Sequence, residues 1–353
     1  MSVSQLGVTP DDVIVTTGSQ QALFLLTDVL VDPGDIVICG GPSYFVYTGL
    51  LESVGADVRL VDVDDHGMNP ASLRRVISDI ADAGQLHRLK LVYVQSYFDN
   101  PTGVSLAAER REPIVDLVRE VGGRAGHRVL LLEDAAYREL GYEDTATLPS
   151  LKRYDTSNSF VASCYTFSKP LAPGLKSGYA FLPSDLVEPV LRQKGNHDFG
   201  SPNLCQQILA RLCTSGDYAK HLEVVRAGYR AKRDAMLEAL DRHLHPIEGV
   251  RFTRPAGGMY VWVTLPEAVD AGETGPLLPA CLDAGVLYVP GHHCFAGDGG
   301  PTNTVRLCFG TVDLPRIYEG VARFARALRG VLDELTPVRR CDEKPSLAAR
   351  ATA

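Results

Sequence analysis

Short β-branched runs alternate with helical patterns through the first half of this 353-residue chain, and no other feature limits the fold as much. Val13 to Thr17, Ile36 to Cys39, Asp57 to Val63, Leu89 to Gln95 and Val129 to Glu133 read as strands. Between them, Ser19 to Leu30, Tyr44 to Val54, Pro70 to Ala83 and Glu109 to Val121 have helical periodicity. This order predicts βαβ units and an α/β fold, a mainly parallel sheet covered by helices on both faces. Right-handed crossovers then bring the strand ends, and the loops after them, to one edge.

The second half changes character. Pro202 to about Leu244 reads as long helical structure, followed by strands at Gly258 to Leu265, Val286 to Val289 and Thr304 to Phe309. Helices near Leu277 to Ala284 and over Leu314 to Leu335 complete a smaller C-terminal α+β domain. The expected organisation is a large domain over 1–205, a long helix and small domain over 206–335, and a polar, Ala-rich loose tail over 336–353.

A formal charge of −8 gives no electrostatic reason to expect nucleic acid or an anionic membrane as partner. No apolar run approaches the roughly 18 residues of a spanning helix. Met1 to Asp12 has neither the basic nor the apolar region of a signal peptide. The eight cysteines form no CxxC pair and read as reduced thiols of a cytoplasmic protein.

Several segments follow strands at the same sheet edge. Tyr165-Thr166-Phe167-Ser168-Lys169 ends an apolar strand with a lysine beside two hydroxyls, which suits a Schiff base to an aldehyde next to a phosphate. A plain surface lysine fits the same residues. Glu133-Asp134-Ala135-Ala136-Tyr137 places carboxylates at the end of a buried strand, where Asp134 either caps the next turn or pairs with a cationic pyridine nitrogen. Asn100-Pro101-Thr102-Gly103 marks a turn. Its Asn100 amide, with the Tyr137 hydroxyl, could share the phenolate oxygen of such a ring. In Thr17-Gly18-Ser19-Gln20, Gly18 turns the chain into a helix whose N-terminus favours an anion, although a simple Ser19 N-cap explains it equally. Thr166, Ser168 and Lys176 fall near the same anion. Arg306, inside Val305 to Phe309, wants a carboxylate, from a substrate or from an internal Asp or Glu. His292-His293-Cys294 has no further ligand at suitable spacing, so it reads as a turn and no metal is expected.

Together these segments resemble the fold type I pyridoxal-phosphate (PLP) enzymes, in particular the aminotransferase class I/II family. The likeness is to its branch of 2-aminoadipate and kynurenine aminotransferases and MocR-type regulators. Gly18-Ser19-Gln20-Gln21-Ala22-Leu23, Pro42-Ser43-Tyr44, Asn100 to Gly103, Glu133 to Tyr137, Thr166 to Gly178, Gly257-Gly258-Met259, Val289-Pro290-Gly291 and Arg306 to Phe309 stand in that family's order, over about residues 10 to 335. The resemblance implies that Lys169 holds PLP as a Schiff base and carries the Cα proton. It implies that Asp134 pairs with the ring nitrogen, that Tyr137 and Asn100 hold the ring oxygen, and that Tyr44 stacks on the ring. Ser19, Gln20, Thr166, Ser168 and Lys176 would bind the phosphate, and Arg306 the substrate carboxylate, with Asn100 alongside. A homodimer is implied too. The chain departs from the pattern at Lys176, where Arg is usual, at Ser96 and Asp99, where Pro and Gln are commoner, and in having only Met1 to Thr17 ahead of the Gly-Ser-Gln-Gln segment. The expected reaction moves an amino group from an L-amino acid to a 2-oxo acid. The alternative diverts the same carbanion to elimination, replacement, cyclisation or oxidation.

Overall fold

Aliphatic runs too short for helices form the strands that the alternation predicts. The structure is a computed structural model and describes residues 8–143, 148–297 and 299–335. The expected tail, 336–353, lies outside the described residues. In chain order the first part contains β1 (Val13–Thr16), α1 (Ser19–Leu30), β2 (Ile36–Gly41), α2 (Phe45–Ser53), β3 (Asp57–Asp64), β4 (Gly67–Met68), α3 (Pro70–Asp82), β5 (Leu89–Gln95), α4 (Ala108–Ala125), β6 (Leu130–Asp134), β7 (Val161–Thr166) and β8 (Gly178–Phe181).

These strands form one sheet in the order β1-β8-β7-β6-β5-β2-β3-β4. From β7 through β6, β5 and β2 to β3 the pairing is parallel. β8 runs antiparallel between β7 and β1. Alternate residues face opposite helical layers. Ile36, Ile38, Val92 and Leu131 pack under α3 and α4. Val37, Cys39, Leu91 and Leu130 pack under α1 and α2 on the other face. Burial on both faces is why the central strands read as unbroken apolar runs.

The chain continues through α5 (Ser184–Asp198), α6 (Asn203–Ser215), α7 (Asp217–His243), β9 (Arg251–Phe252), β10 (Tyr260–Thr264), α8 (Leu277–Asp283), β11 (Val289–Pro290), β12 (Thr304–Cys308) and α9 (Leu314–Leu335). The last four strands make an antiparallel sheet in the order β11-β12-β10-β9. α9 buries Ile317, Val321, Phe324, Leu328 and Val331, spaced three and four apart, against the core that also holds Met236 and Leu240 of α7. Among the described residues no helix is long and apolar enough to cross a membrane.

Two contacts seat the second sheet on the edge of the first. Thr253 Oγ1 donates to the Thr102 carbonyl at 2.7 Å. Gly103 has φ +73°, and a Cβ there would lie 2.6 Å from the Tyr260 carbonyl. The turn after β5 thus needs glycine both for its backbone and for the strand pressed against it.

Candidate active site

The C-terminal ends of β6 and β7, the starts of α1 and α2, the turn after β5, and one residue of β12 converge on a cavity of about 390 Å³. Every residue to which the resemblance gives a role lines it: Ser19, Gln20, Tyr44, Asn100, Asp134, Tyr137, Thr166, Ser168, Lys169, Lys176 and Arg306. Open α/β sheets place ligands at this edge because the loops there are free to diverge while the strands hold them in register.

Asp134 ends β6 and is buried. Its Oδ2 accepts from the Tyr93 hydroxyl at 2.9 Å, and its Oδ1 from the Ala136 N–H at 3.0 Å. It therefore caps the following turn and faces the cavity at once. No cation pairs with it among the described residues, and burial pushes its pKa up to about 6 despite those hydrogen bonds and the nearby Lys169 charge. Its neighbour Glu133 is held elsewhere. It accepts from Ser96 Oγ and Ser163 Oγ, both at 2.6 Å, from Ser150 Oγ, and from the Leu151 N–H at 3.0 Å. Ser96, where the family pattern has proline more often, is one of the donors that keep this buried carboxylate satisfied.

Lys169 stands three residues past β7, half-buried, with its Nζ 5.7 Å from the centre of the Tyr137 ring. It makes no hydrogen bond or ion pair among the described residues. Burial holds its pKa below the usual lysine value, opposed by Cys308 and Asp134. The Tyr137 hydroxyl lies 3.1 Å from that of Tyr260. Tyr44, immediately before α2, forms part of the wall, its hydroxyl pushed up to about 12, by burial first.

Opposite lies a cup of small donors. Gly18 caps α1 with φ +92° and no side chain caps the helix, so the Ser19 N-cap reading is not what the fold uses. Thr166 Oγ1 donates to Ser168 Oγ at 3.0 Å and accepts from the Ser168 N–H at 3.1 Å. A Cβ on Gly178 would lie 2.8 Å from the Gly18 carbonyl carbon and 2.5 Å from the Tyr165 oxygen. Glycine at 178 is what lets β8 bring the start of α1 against the end of β7. Lys176, in left-handed backbone (φ +44°), stands exposed at the rim.

Arg306 points in from β12. Its Nη1 donates to Asn100 Oδ1 at 2.7 Å, and its guanidinium carbon lies 4.4 Å from the Tyr260 ring centre and 5.4 Å from that of Phe45. Its Nε is buried without a partner. No carboxylate pairs with it among the described residues, so the internal salt bridge left open by the sequence is not formed.

Among the lining residues that escaped the sequence reading are Tyr260, Phe45 and Gln95. Gln95 fixes the turn by accepting from the Asn100 N–H at 3.1 Å and donating to the Asn100 carbonyl at 2.8 Å. Its amide also donates to Asp99, whose carboxyl burial pushes up to about 8. Strand alternation was the one available signal for Tyr260, whose strand β10 pairs directly with β12.

The residues fit PLP. A buried carboxyl lacking a cation, an unpaired lysine, a cup of hydroxyls at a helix N-terminus and an orphaned guanidinium nitrogen match a pyridine ring, an aldehyde, a phosphate and a carboxylate. The family model of aminotransferase class I and II matches residues 3–324, and the chain belongs to that family of PLP-dependent transferases. A 2-aminoadipate transaminase from Thermus thermophilus is 36% identical over 329 residues, 93% of this chain and 78% of that protein. The kynurenine aminotransferase of Pyrococcus horikoshii superposes with a TM-score of 0.85 at 32% identity, covering 94% of this chain and 78% of that one. An alpha-aminoadipate aminotransferase from Thermus thermophilus, solved with N-(5'-phosphopyridoxyl)-L-leucine, gives 0.83 at 35% identity over 95% and 81%.

Proposed function

We propose that this chain moves an amino group from an L-amino acid to a 2-oxo acid, with Lys169 as the residue that holds PLP and transfers the Cα proton. The observation that carries this reading is Asp134, a buried carboxyl with no cation paired to it among the described residues, set in one cavity with Lys169 and Arg306. When bound, PLP supplies an aldehyde and an electron-accepting ring that stabilises negative charge at the substrate Cα. Asp134 pairs with the ring nitrogen. Tyr137 and Asn100 donate to the ring oxygen, and Tyr44 covers the ring. Ser19, Gln20, Thr166, Ser168 and Lys176 hold the phosphate, with Lys176 giving charge but not the planar fork of an arginine. Arg306, steadied by Asn100 and Tyr260, grips the substrate carboxylate. The lowered pKa of Lys169 favours an uncharged amine, which would take the Cα proton of a bound amino acid.

A homodimer in the cytoplasm completes the proposal. Phe199 is fully exposed, Leu204 and Ile208 stand one turn apart on α6, and Ser201 ties this stretch to the Val15 carbonyl. Exposed apolar side chains on and just before α6 favour a second subunit there.

The test is a panel of L-amino acids added to PLP-loaded protein without an acceptor. One equivalent of 2-oxo acid is expected per site, and a second 2-oxo acid should restore the starting spectrum. Ammonia release or oxygen consumption would redirect the proposal to the alternative chemistries, and no spectral response to any amino acid would sink it.

The Asp134 pairing predicts a pH effect. A carboxyl raised to about 6 in the PLP-free fold is protonated below that pH, so pairing with a cationic ring weakens as pH falls through 6, by up to about tenfold per unit. Equilibrium dialysis of PLP from pH 5 to 7.5 should show a steeper acid-side loss for the wild type than for Asp134→Asn. Parallel profiles would remove Asp134 from its role.

A further inference from the structure

We propose that Glu273, His292 and His293 form a binding site for a divalent transition metal of the Zn²⁺ class, outside the cofactor cavity. One ligand atom from each residue lies within 4.8 Å of the others. His292 Nε2 is 3.1 Å from Glu273 Oε2, and His293 Nε2 meets Oε1 of the same carboxylate. The two imidazole centres are 4.3 Å apart.

One carboxylate serves two imidazole rings, whose Nε2 atoms approach its two oxygens. Each Nε2, once its proton is displaced, offers a lone pair beside the carboxylate that already stands there. Two histidines and a carboxylate are a zinc ligand set, with bonds of about 2.0–2.2 Å and a remaining position for water. Both Nε2 atoms now face the carboxylate, so a cation entering between them replaces the His293–Glu273 hydrogen bond with coordination. All three side chains reach solvent, which provides the entry path.

The surroundings are formed rather than loose. Asp270 Oδ1 accepts from the Gly272 N–H at 2.8 Å. A Cβ on Gly272 would lie 3.3 Å from His292 Cε1, so this turn closes against the His292 ring. His292 Nδ1 is buried without a partner. The short 3₁₀ turn Gly291–Cys294 carries both histidines, and its Cys294 carbonyl accepts from the Ser43 N–H at 2.6 Å, next to Tyr44. A bound cation would therefore pin the turn around Glu273 to the segment that presents Tyr44. The sequence reading, which expected no metal, weighed His292-His293-Cys294 without Glu273. Folding alone brings them together.

The test uses tag-free, PLP-loaded protein and Zn²⁺ as the probe, followed by equilibrium dialysis and thermal unfolding. Wild type is expected to bind one more Zn²⁺ per chain than either Glu273→Gln or His293→Ala, with affinity at that site reduced by at least about tenfold in each. Its unfolding temperature should rise with Zn²⁺, and theirs should not. The variant comparison removes any contribution from exposed thiols. Glu273→Gln preserves shape, so it decides the matter if His293→Ala does not fold. Equal stoichiometry and equal Zn²⁺ response in wild type and Glu273→Gln would overturn the site, whatever becomes of the PLP reading.

Discussion

Lys169→Ala should lower turnover by on the order of 10⁴, the upper range for a positioned proton-transfer group, because the covalent link to PLP is lost with it. The purified variant should lack the visible band of lysine-bound PLP. Its unfolding temperature should stay close to wild type. Lys169 makes no hydrogen bond or ion pair among the described residues, so its removal deletes chemistry and little packing. That separation gives the experiment its force: a loss of activity with an intact fold cannot be attributed to collapse of the sheet. The readout is single-turnover formation of 2-oxo acid from an amino acid, with PLP in excess. Retention of more than about 1% of the wild-type rate would transfer the proton to another group.

The second large effect belongs to Arg306. Arg306→Ala should reduce kcat/KM for amino acids by about 10²–10³, the usual consequence of deleting one partner of a buried charge-assisted pair. Arg306→Lys should recover only part, because a single ammonium cannot keep both the Asn100 bond and a two-point grip on a carboxylate. The informative comparison is a primary amine lacking the carboxylate. Its slow reaction should be nearly indifferent to Arg306→Ala. Equal losses for amine and amino acid would show that Arg306 shapes the cavity rather than recognising the substrate.

Most of the frame was legible because the central strands are buried on both faces. Leu89 to Gln95 reads as a strand in the sequence and is one in the fold, since nothing but a covered sheet accommodates so short an apolar run. β8 was not legible. It has four residues, opens on Gly178 and runs against its neighbours, and its reason for existing is the pairing on both sides. The site residues were legible where function leaves a local anomaly, as with an arginine between Val305 and Leu307. They were hidden where the role arises from packing. Tyr260 looks like any aromatic strand residue until β12 lays Arg306 against its ring. Lys169 lay between, ordinary by itself and meaningful only beside Asp134.

The pairing of β1 with β8 also bears on the order in which this molecule can assemble. Thr16 finds its partner in Gly178, so β1 waits for β8, the last strand of its sheet in chain order. Closing so long a loop carries an entropy cost that local contacts do not repay, and such contacts form late. The central strands β2, β5 and β6 can pair long before. The start of α1 therefore reaches Thr166 and Ser168 only after most of the sheet is in place. A phosphate-bearing ligand then has no finished cup to template early folding, and joins a scaffold already built.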